Sequence, residues 1–272
     1  MFIDVKDKIL ILGSSGYIGS SLSFHLKKNN IAYSGLGRSI SKYNDYAIDL
    51  LSVDISTIVK IFTNYNIVIG LSWYVNHTDY KECNLNTDWS STYINKILPA
   101  LNRAKVNHYI GVGSCLEYGC SLSGPINSST SANPNTIYGA CKLDVFNEYS
   151  HKFEGAYFSW LRLFYVYGGN ENSKKLIPSI RKSINTNRLL QFDNPYIVND
   201  YVHVEHVVKC IIKVINEKSV GILNIGSGQP VMNCDIYDIM KNKIKISSYD
   251  NCNVGHYCDD IFIKDDNDMF RK

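Results

Sequence analysis

Three glycines, Gly13, Gly16 and Gly19, follow the apolar run Ile9-Leu10-Ile11-Leu12 and open a segment in which Ile18, Leu22 and Leu26 recur every fourth residue. An apolar run without alternation predicts a strand buried on both faces, as in a parallel sheet, and the four-residue spacing predicts an amphipathic helix. Glycines between the two let the chain turn tightly. They also let backbone N–H groups approach a phosphate at the positive end of the helix. A glycine turn that only packs helix on sheet is the alternative, but three glycines at this spacing exceed what packing needs.

The 272 residues suit one large α/β unit with an appended lobe. A net charge of +3 is too slight to call for a nucleic acid or a membrane surface as partner. No apolar run approaches the length of a membrane span, and Met1–Asp7 lacks a signal-peptide pattern. The eight cysteines show no C-x-x-C pair, so neither a zinc site nor a thiol redox pair is expected. Their expected state is reduced, in a cytoplasmic protein.

Strand and helix patterns alternate from Lys8 to Leu163, which predicts right-handed crossovers and one doubly wound parallel sheet. Strands are expected at 31–36, 47–50, 67–71, 109–113, 157–163, 189–192 and 221–226. Helices are expected at 55–65, 85–105, 138–152, 176–184 and 203–215, with a Ser-, Asn- and Pro-rich loop over 119–136. After strand two stands Arg38, with no acid before Asp45. An arginine there suits a ribose 2′-phosphate, and an exposed loop side chain is the alternative. Asp49 ends strand three, where its carboxylate can meet an adenine edge. His77 follows strand four, as a substrate contact or an exposed loop residue.

Tyr138 and Lys142 are four apart at the start of a helix and share a face. The ammonium is expected to lower the pKa of the phenol toward the working range. Ser114 closes strand five at the same sheet edge as the glycine loop, where its hydroxyl can clamp a carbonyl oxygen. Proton donor, pKa modifier and oxygen clamp are the protein's share of a hydride transfer, the hydride coming from a nicotinamide.

The motifs occur in a set order. After Gly13-x-x-Gly16-x-x-Gly19 come Ser114 with Tyr118-Gly119, Tyr138-x-x-x-Lys142, Leu161-Arg162-Leu163-Phe164-Tyr165-Val166-Tyr167-Gly168, Asp200-Tyr201-Val202-His203-Val204 and Leu223-Asn224-Ile225-Gly226-Ser227-Gly228. In this order they resemble the extended short-chain dehydrogenase/reductases of the sugar-nucleotide epimerase/dehydratase family. The resemblance implies a Rossmann-like α/β fold with a smaller C-terminal substrate lobe. Residues 1–163, rejoined by the strands and helix of 198–226, would bind the dinucleotide, and 164–197 with 227–272 the substrate.

It further implies Ser114, Tyr138 and Lys142 as catalytic residues. The cofactor would meet Gly13, Ser15, Gly16, Tyr17, Ile18, Gly19, Arg38, Asp49, Leu50, Leu71, Tyr138 and Lys142. A nucleotide-diphosphate sugar would meet Tyr74, His77, Ser114, Cys115, Tyr165 and Asn199. A homodimer through helices 85–105 and 138–152 is implied, and no metal. Tyr165 stands where many members carry Asn, and Asn199 where many carry Arg.

Dehydratases of the family commonly place Asp and Glu directly after the serine or threonine that closes strand five. Here those positions hold Cys115 and Leu116, and Glu117 is expected to point away. The expected activity is therefore NADPH-dependent reduction of a 4-keto-6-deoxy sugar nucleotide, in deoxysugar synthesis for surface polysaccharide. A C4-epimerase with bound NAD needs the same minimal set, and a non-catalytic dinucleotide-binding scaffold is the third alternative.

Overall fold

In the computed structural model, which describes residues 6–76, 78–119, 125–188, 191, 193–242 and 262, the first strand lies inside the large sheet. β1 (Ile9–Leu12) is buried along its whole length. Leu10 and Leu12 face one apolar cluster, and Ile9 and Ile11 face another. Alternate residues of a strand point to opposite faces, so an unbroken apolar run means that helices cover both.

The remaining elements are α1 (Tyr17–Lys28), β2 (Tyr33–Gly37), β3 (Tyr46–Ala47), α2 (Ile55–Phe62), β4 (Ile67–Gly70), α3 (Leu85–Thr92), α4 (Leu98–Arg103), β5 (His108–Ser114), α5 (Ile137–Lys152), β6 (Tyr157–Leu163), β7 (Tyr165–Tyr167), α6 (Leu176–Thr186), β8 (Val198–His203), α7 (Val204–Glu217), β9 (Gly221–Ile225), β10 (Pro230–Met232) and α8 (Asn233–Asn242). The large sheet runs β3-β2-β1-β4-β5-β6-β9, and every pairing in it is parallel. α1 and α7 cover one face through Leu22, Leu26 and Val207–Ile215. α2, α4 and α5 cover the other through Phe62, Leu101 and Tyr149.

The chain leaves β1 toward β2 and β3, then crosses back to place β4 on the other side of β1. The loops after β1 and β4 therefore part at the point where open α/β sheets hold ligands. They also touch. Gly13 has φ +82°, and a Cβ there would stand 2.9 Å from Ser72 N. A Cβ on Gly19 would collide with the Gly13 carbonyl oxygen, so α1 rests directly on the turn that precedes it.

The structure departs from the sequence expectations at several places. β3 is only two residues long, so Asp49 and Leu50 lie in the turn after it. The helix expected over 85–105 is three pieces, because a π-helical turn, Tyr93–Ile97, separates α3 from α4. Pro99, in the first turn of α4, has no N–H to give, and the wider turn before it absorbs the lost bond. The strand expected at 189–192 falls largely outside the described residues.

Within 198–226 only α7 and β9 return to the large sheet. β8 instead forms a second sheet with β7, in parallel, and β10, antiparallel. That sheet and helices α6 and α8 share a core of Tyr167, Ile177, Ile180, Tyr201, Val231 and Ile236. Among the described residues no helix is long and apolar enough to cross a membrane, and no cluster of three His, Cys, Asp or Glu could hold a metal.

Gly19→Ala should cost about 1–3 kcal/mol, because the added methyl meets a backbone oxygen that cannot swing aside. Urea denaturation should show a lower midpoint with the transition still cooperative. An unchanged midpoint would mean that the contact between α1 and the glycine turn is slack.

Candidate active site

β5 carries Ser114 to the sheet edge, and Ser114 then caps the 3₁₀ turn Cys115–Glu117. Its Oγ accepts the Leu116 N–H at 3.2 Å, and Glu117 reaches back so that Oε1 accepts the Ser114 N–H at 2.8 Å. With an acceptor site of Oγ committed to the backbone, the hydroxyl hydrogen is the part left to offer outward. The Ser114 hydroxyl bears on Tyr138, where it favours the ionised phenol.

α5 supplies the other two residues. Thr136 caps it, accepting the Gly139 N–H at 3.0 Å, and the Tyr138 N–H donates to Lys81 O at 2.9 Å. Tyr138 and Lys142 share a helical face as expected, with Lys142 Nζ 5.8 Å from the phenol ring centroid. Lys142 is 5% exposed and donates to Val112 O on β5 at 2.8 Å.

The expected lowering of the phenol pKa is not what the free site gives. Burial pushes Tyr138 up, with Tyr80, Glu117 and Cys115 adding to the rise and the Ser114 hydrogen bond opposing it. The ammonium is itself affected, since burial lowers Lys142 to about 7 against an opposing pull from Glu117. Desolvation of each group outweighs their mutual effect. At neutral pH the resting phenol keeps its proton.

Glu117 does not point away on an extended strand. The 3₁₀ turn brings it inside, fully buried, where Oε2 accepts Arg162 Nε–H at 2.7 Å and Trp160 Nε1–H at 3.0 Å. Burial pushes its carboxyl up, and Arg162 and these hydrogen bonds pull it back. Burial would also pull Arg162 down, but Glu117 and Tyr118 hold the guanidinium charged. A charge inside the apolar strand Tyr157–Leu163 was the sequence signal for such a partner.

The residues expected at the cofactor lie along one edge. Gly13 to Gly19 form the turn and the first turn of α1, and Leu71 N donates to Leu12 O at 2.9 Å. Ser15 and Arg38 are exposed, Asp49 is half-buried, and its Oδ1 accepts the Leu51 N–H at 3.1 Å. Leu50 is buried in the core beneath. Gly16 caps α1 without a side-chain bond, and the first turn holds no acidic residue. The orphan N–H groups thus stay open to an anion, at a turn whose glycines let α1 and the loop after β4 close directly upon it. These residues fit the pyrophosphate of a dinucleotide.

The expected substrate residues are less uniform. Cys115 is buried against Tyr118, Ile126 and Phe164, and burial raises its thiol pKa. Tyr74 donates its hydroxyl to Asp79 at 2.9 Å. Tyr165 packs on Tyr201 at 5.6 Å between ring centroids. Asn199 is buried, with Nδ2 3.4 Å from Asn233 Oδ1 and its own Oδ1 unpartnered. His77 lies outside the described residues. Tyr17 reaches across to the second sheet, donating to Gly168 O at 2.8 Å. Trp73, which no sequence motif marks, lies with its ring against the Lys142 ammonium.

A model of the NAD dependent epimerase/dehydratase family matches residues 9–226, and the chain belongs to that family. A CDP-abequose synthase of Salmonella muenchen is 23% identical over 257 residues, which cover 90% of this chain and 84% of that protein. Another, of Yersinia pseudotuberculosis, is 25% identical over 218 residues, or 77% and 73%. A solved UDP-N-acetylglucosamine 4-epimerase from Bacillus cereus superposes with a TM-score of 0.76 at 21% identity, covering 94% of this chain and 88% of that one. The fold is thus that of the family, and the chain is an NAD-dependent enzyme of the epimerase/dehydratase type.

Glu117→Gln keeps the size and one acceptor but leaves Arg162 buried without its counter-charge. Removing one partner of a buried pair costs about 3–5 kcal/mol. Denaturant unfolding should register that loss, and a change under 1 kcal/mol would mean the pair is poorly formed.

Proposed function

We propose that this member of the NAD dependent epimerase/dehydratase family reduces the 4-keto group of a 4-keto-6-deoxy sugar nucleotide, with NADPH as reductant. The observation that carries the reading is the proton inventory of the site. Tyr138 is a single donor kept protonated by burial, while Glu117, the acid nearest in sequence to Ser114, is spent on Ser114 N, Trp160 and Arg162. Dehydration needs a further acid and base, and the positions directly after Ser114 hold a buried thiol, Cys115, and an aliphatic chain, Leu116. Ketone reduction needs only a hydride and one proton.

A dinucleotide held by its pyrophosphate at the glycine turn would supply the hydride for the carbonyl carbon. Ser114 donates its hydroxyl hydrogen to the carbonyl oxygen and stabilises the charge that grows there. Tyr138 gives that oxygen its proton. Lys142 places a positive charge beside the phenolate that forms, which favours the transfer. Oxidation of a C4 hydroxyl, the first step of epimerisation, would instead start from a phenolate that burial disfavours. The co-location of three hydride-transfer residues argues against a scaffold. The curated relatives are named for a CDP-linked sugar, which makes cytidine diphosphate the first carrier to try.

The test is NADPH consumption with a panel of CDP-, UDP- and dTDP-4-keto-6-deoxyhexoses. Stoichiometric oxidation matched by loss of the ketone is expected. Protein that purifies with tightly bound NAD and interconverts C4 epimers without consuming NADPH would make it an epimerase. Tyr138→Phe should lower turnover by roughly 10²–10⁴-fold with NADPH still bound, the usual worth of a general acid. Wild-type turnover in that variant would remove Tyr138 from the mechanism.

Arg38 is exposed directly after β2, which supports reading it as the contact for a ribose 2′-phosphate. Arg38→Ala should weaken NADPH binding, leave NADH binding nearly unchanged, and so narrow the preference. Equal use of both cofactors by the wild type would refute this role.

A further inference from the structure

Trp73 lies in the loop after β4, and the Lys142 ammonium sits over its indole ring, Nζ 3.8 Å from the ring centroid. The indole is not free to swing. Its Nε1–H donates to Asn86 Oδ1 at 2.8 Å. Asn86 is fully buried, and its amide hydrogens go to Tyr80 O at 2.6 Å and Cys83 O at 2.8 Å. Those two bonds fix which end of the amide is oxygen, so Asn86 presents an acceptor to Trp73 in one orientation only.

The residues around the ring hold it further. Ser72 O accepts the Tyr93 hydroxyl at 2.9 Å. The Tyr93 and Trp89 rings pack against the indole at 5.4 and 6.3 Å between centroids. Tyr138 meets it edge-on, at 6.3 Å and 88°. The indole therefore touches both members of the Tyr138–Lys142 pair.

An ammonium that is 5% exposed, with Val112 O as a neighbouring acceptor, has lost most of its water. Three groups with charge or a titratable proton bear on it: Glu117 from the turn after β5, Tyr138 from its own helix, and Tyr80 behind Tyr138. β5 contributes a neutral carbonyl and the loop after β4 a neutral indole. A π face attracts a cation without taking its proton, and the attraction grows as water is excluded.

We propose that Trp73 is the positioning residue for Lys142, its indole face, locked by Asn86, holding the ammonium in place and in its charged form. The proposal rests on the reading that Lys142 serves the bound dinucleotide and Tyr138. A base whose pKa lies near 7 loses its charge as the pH rises. An anionic dinucleotide beside it binds best below that point and progressively less well above. Removing the indole takes away an interaction that favours the charged form, so the fall should begin at lower pH. For a cation–π contact the displacement is roughly 0.4–1.5 pH units.

The test measures NADPH affinity between pH 5.5 and 9 by the fluorescence of the cofactor itself, for wild type, Trp73→Leu, Trp73→Phe, Asn86→Ala and Lys142→Met. Midpoints of thermal unfolding are recorded for each. Trp73→Leu should move the falling limb to lower pH and weaken binding at pH 7.5 by roughly 3–10-fold. Trp73→Phe, which keeps a weaker π face, should restore part of the shift. Asn86→Ala should lie between. Lys142→Met should flatten the limb altogether. The pH profile of turnover should move in parallel.

The outcomes separate the two claims. A limb that stays at the wild-type pH in both Trp73 variants, while Lys142→Met abolishes it, overturns the positioning role and leaves the function of Lys142 intact. A Lys142→Met protein that binds and turns over like wild type overturns the reading of Lys142, and the proposal with it. If Trp73→Leu is too unstable to assay, Trp73→Phe and Asn86→Ala decide the matter, since a purely structural loss lowers the unfolding midpoint without moving the limb.

Discussion

The buried pair of Glu117 and Arg162 ties the end of β5 to β6, and the candidate site is arranged around it. Both side chains are within 2% of full burial, an expensive arrangement unless nearly every lone pair and proton is used. Here they are. The carboxylate takes the N–H of Ser114, the indole of Trp160 and the guanidinium of Arg162. Arg162 lies over the ring of Tyr118 at 4.4 Å and over Phe146 of α5 at 5.4 Å. The Tyr118 hydroxyl then donates to Asn224 on β9 at 2.8 Å. One ion pair thus joins three neighbouring strands and the helix that carries Tyr138 and Lys142. It also fixes the backbone of Ser114.

A second buried carboxylate does the corresponding work for the smaller sheet. Asp200 of β8, fully buried, accepts Ser227 N–H at 2.6 Å, Ser227 Oγ–H at 2.7 Å and Gly228 N–H at 2.9 Å. The loop that follows β9 in the large sheet is thereby fastened to the central strand of the small one. A side chain at Gly226 would run into that carboxylate. Two of the sequence motifs, Asp200-Tyr201-Val202-His203-Val204 and Leu223-Asn224-Ile225-Gly226-Ser227-Gly228, are therefore the two halves of one hydrogen-bonded joint. Tyr17 makes a further joint from the glycine turn to Gly168.

How far the sequence could be read follows from the range of the forces involved. β1 and the glycine turn were legible because burial on both faces and tight turning write themselves into consecutive residues. The Tyr138–Lys142 face was legible because helical spacing alone brings the two together. Glu117 was misplaced because an extended continuation of β5 was assumed. Ser114 and Glu117 in fact form a capping box, a signature visible as Ser-x-x-Glu, and it turns the chain by 3₁₀ geometry. Pro99 marked the π turn, but a proline early in a helix is so often harmless that it carried no warning. Trp73 over Lys142 could not be found at all. The contact joins residues far apart in the chain, and neither has a spacing that implies the other. The same holds for β8, whose partners β7 and β10 are set by tertiary pairing and not by local pattern.

Under the reductase reading, the direction of the reaction would have a physical origin in this same arrangement. Glu117 brings a negative charge into a region that water does not screen, and both titratable groups of the site feel it. It raises Tyr138, so that the phenol holds its proton more tightly, and it raises Lys142, so that part of the charge lost to burial is recovered. Both effects load the resting site with protons. A loaded site suits a reaction that begins by giving a proton to a substrate oxygen, and it opposes one that begins by taking a proton away. The carboxylate that could not serve as a second acid, because Arg162, Trp160 and Ser114 hold it, acts instead through its field. Under the reductase reading, the structural pair at the end of β5 and the bias of the chemistry are two consequences of one buried charge.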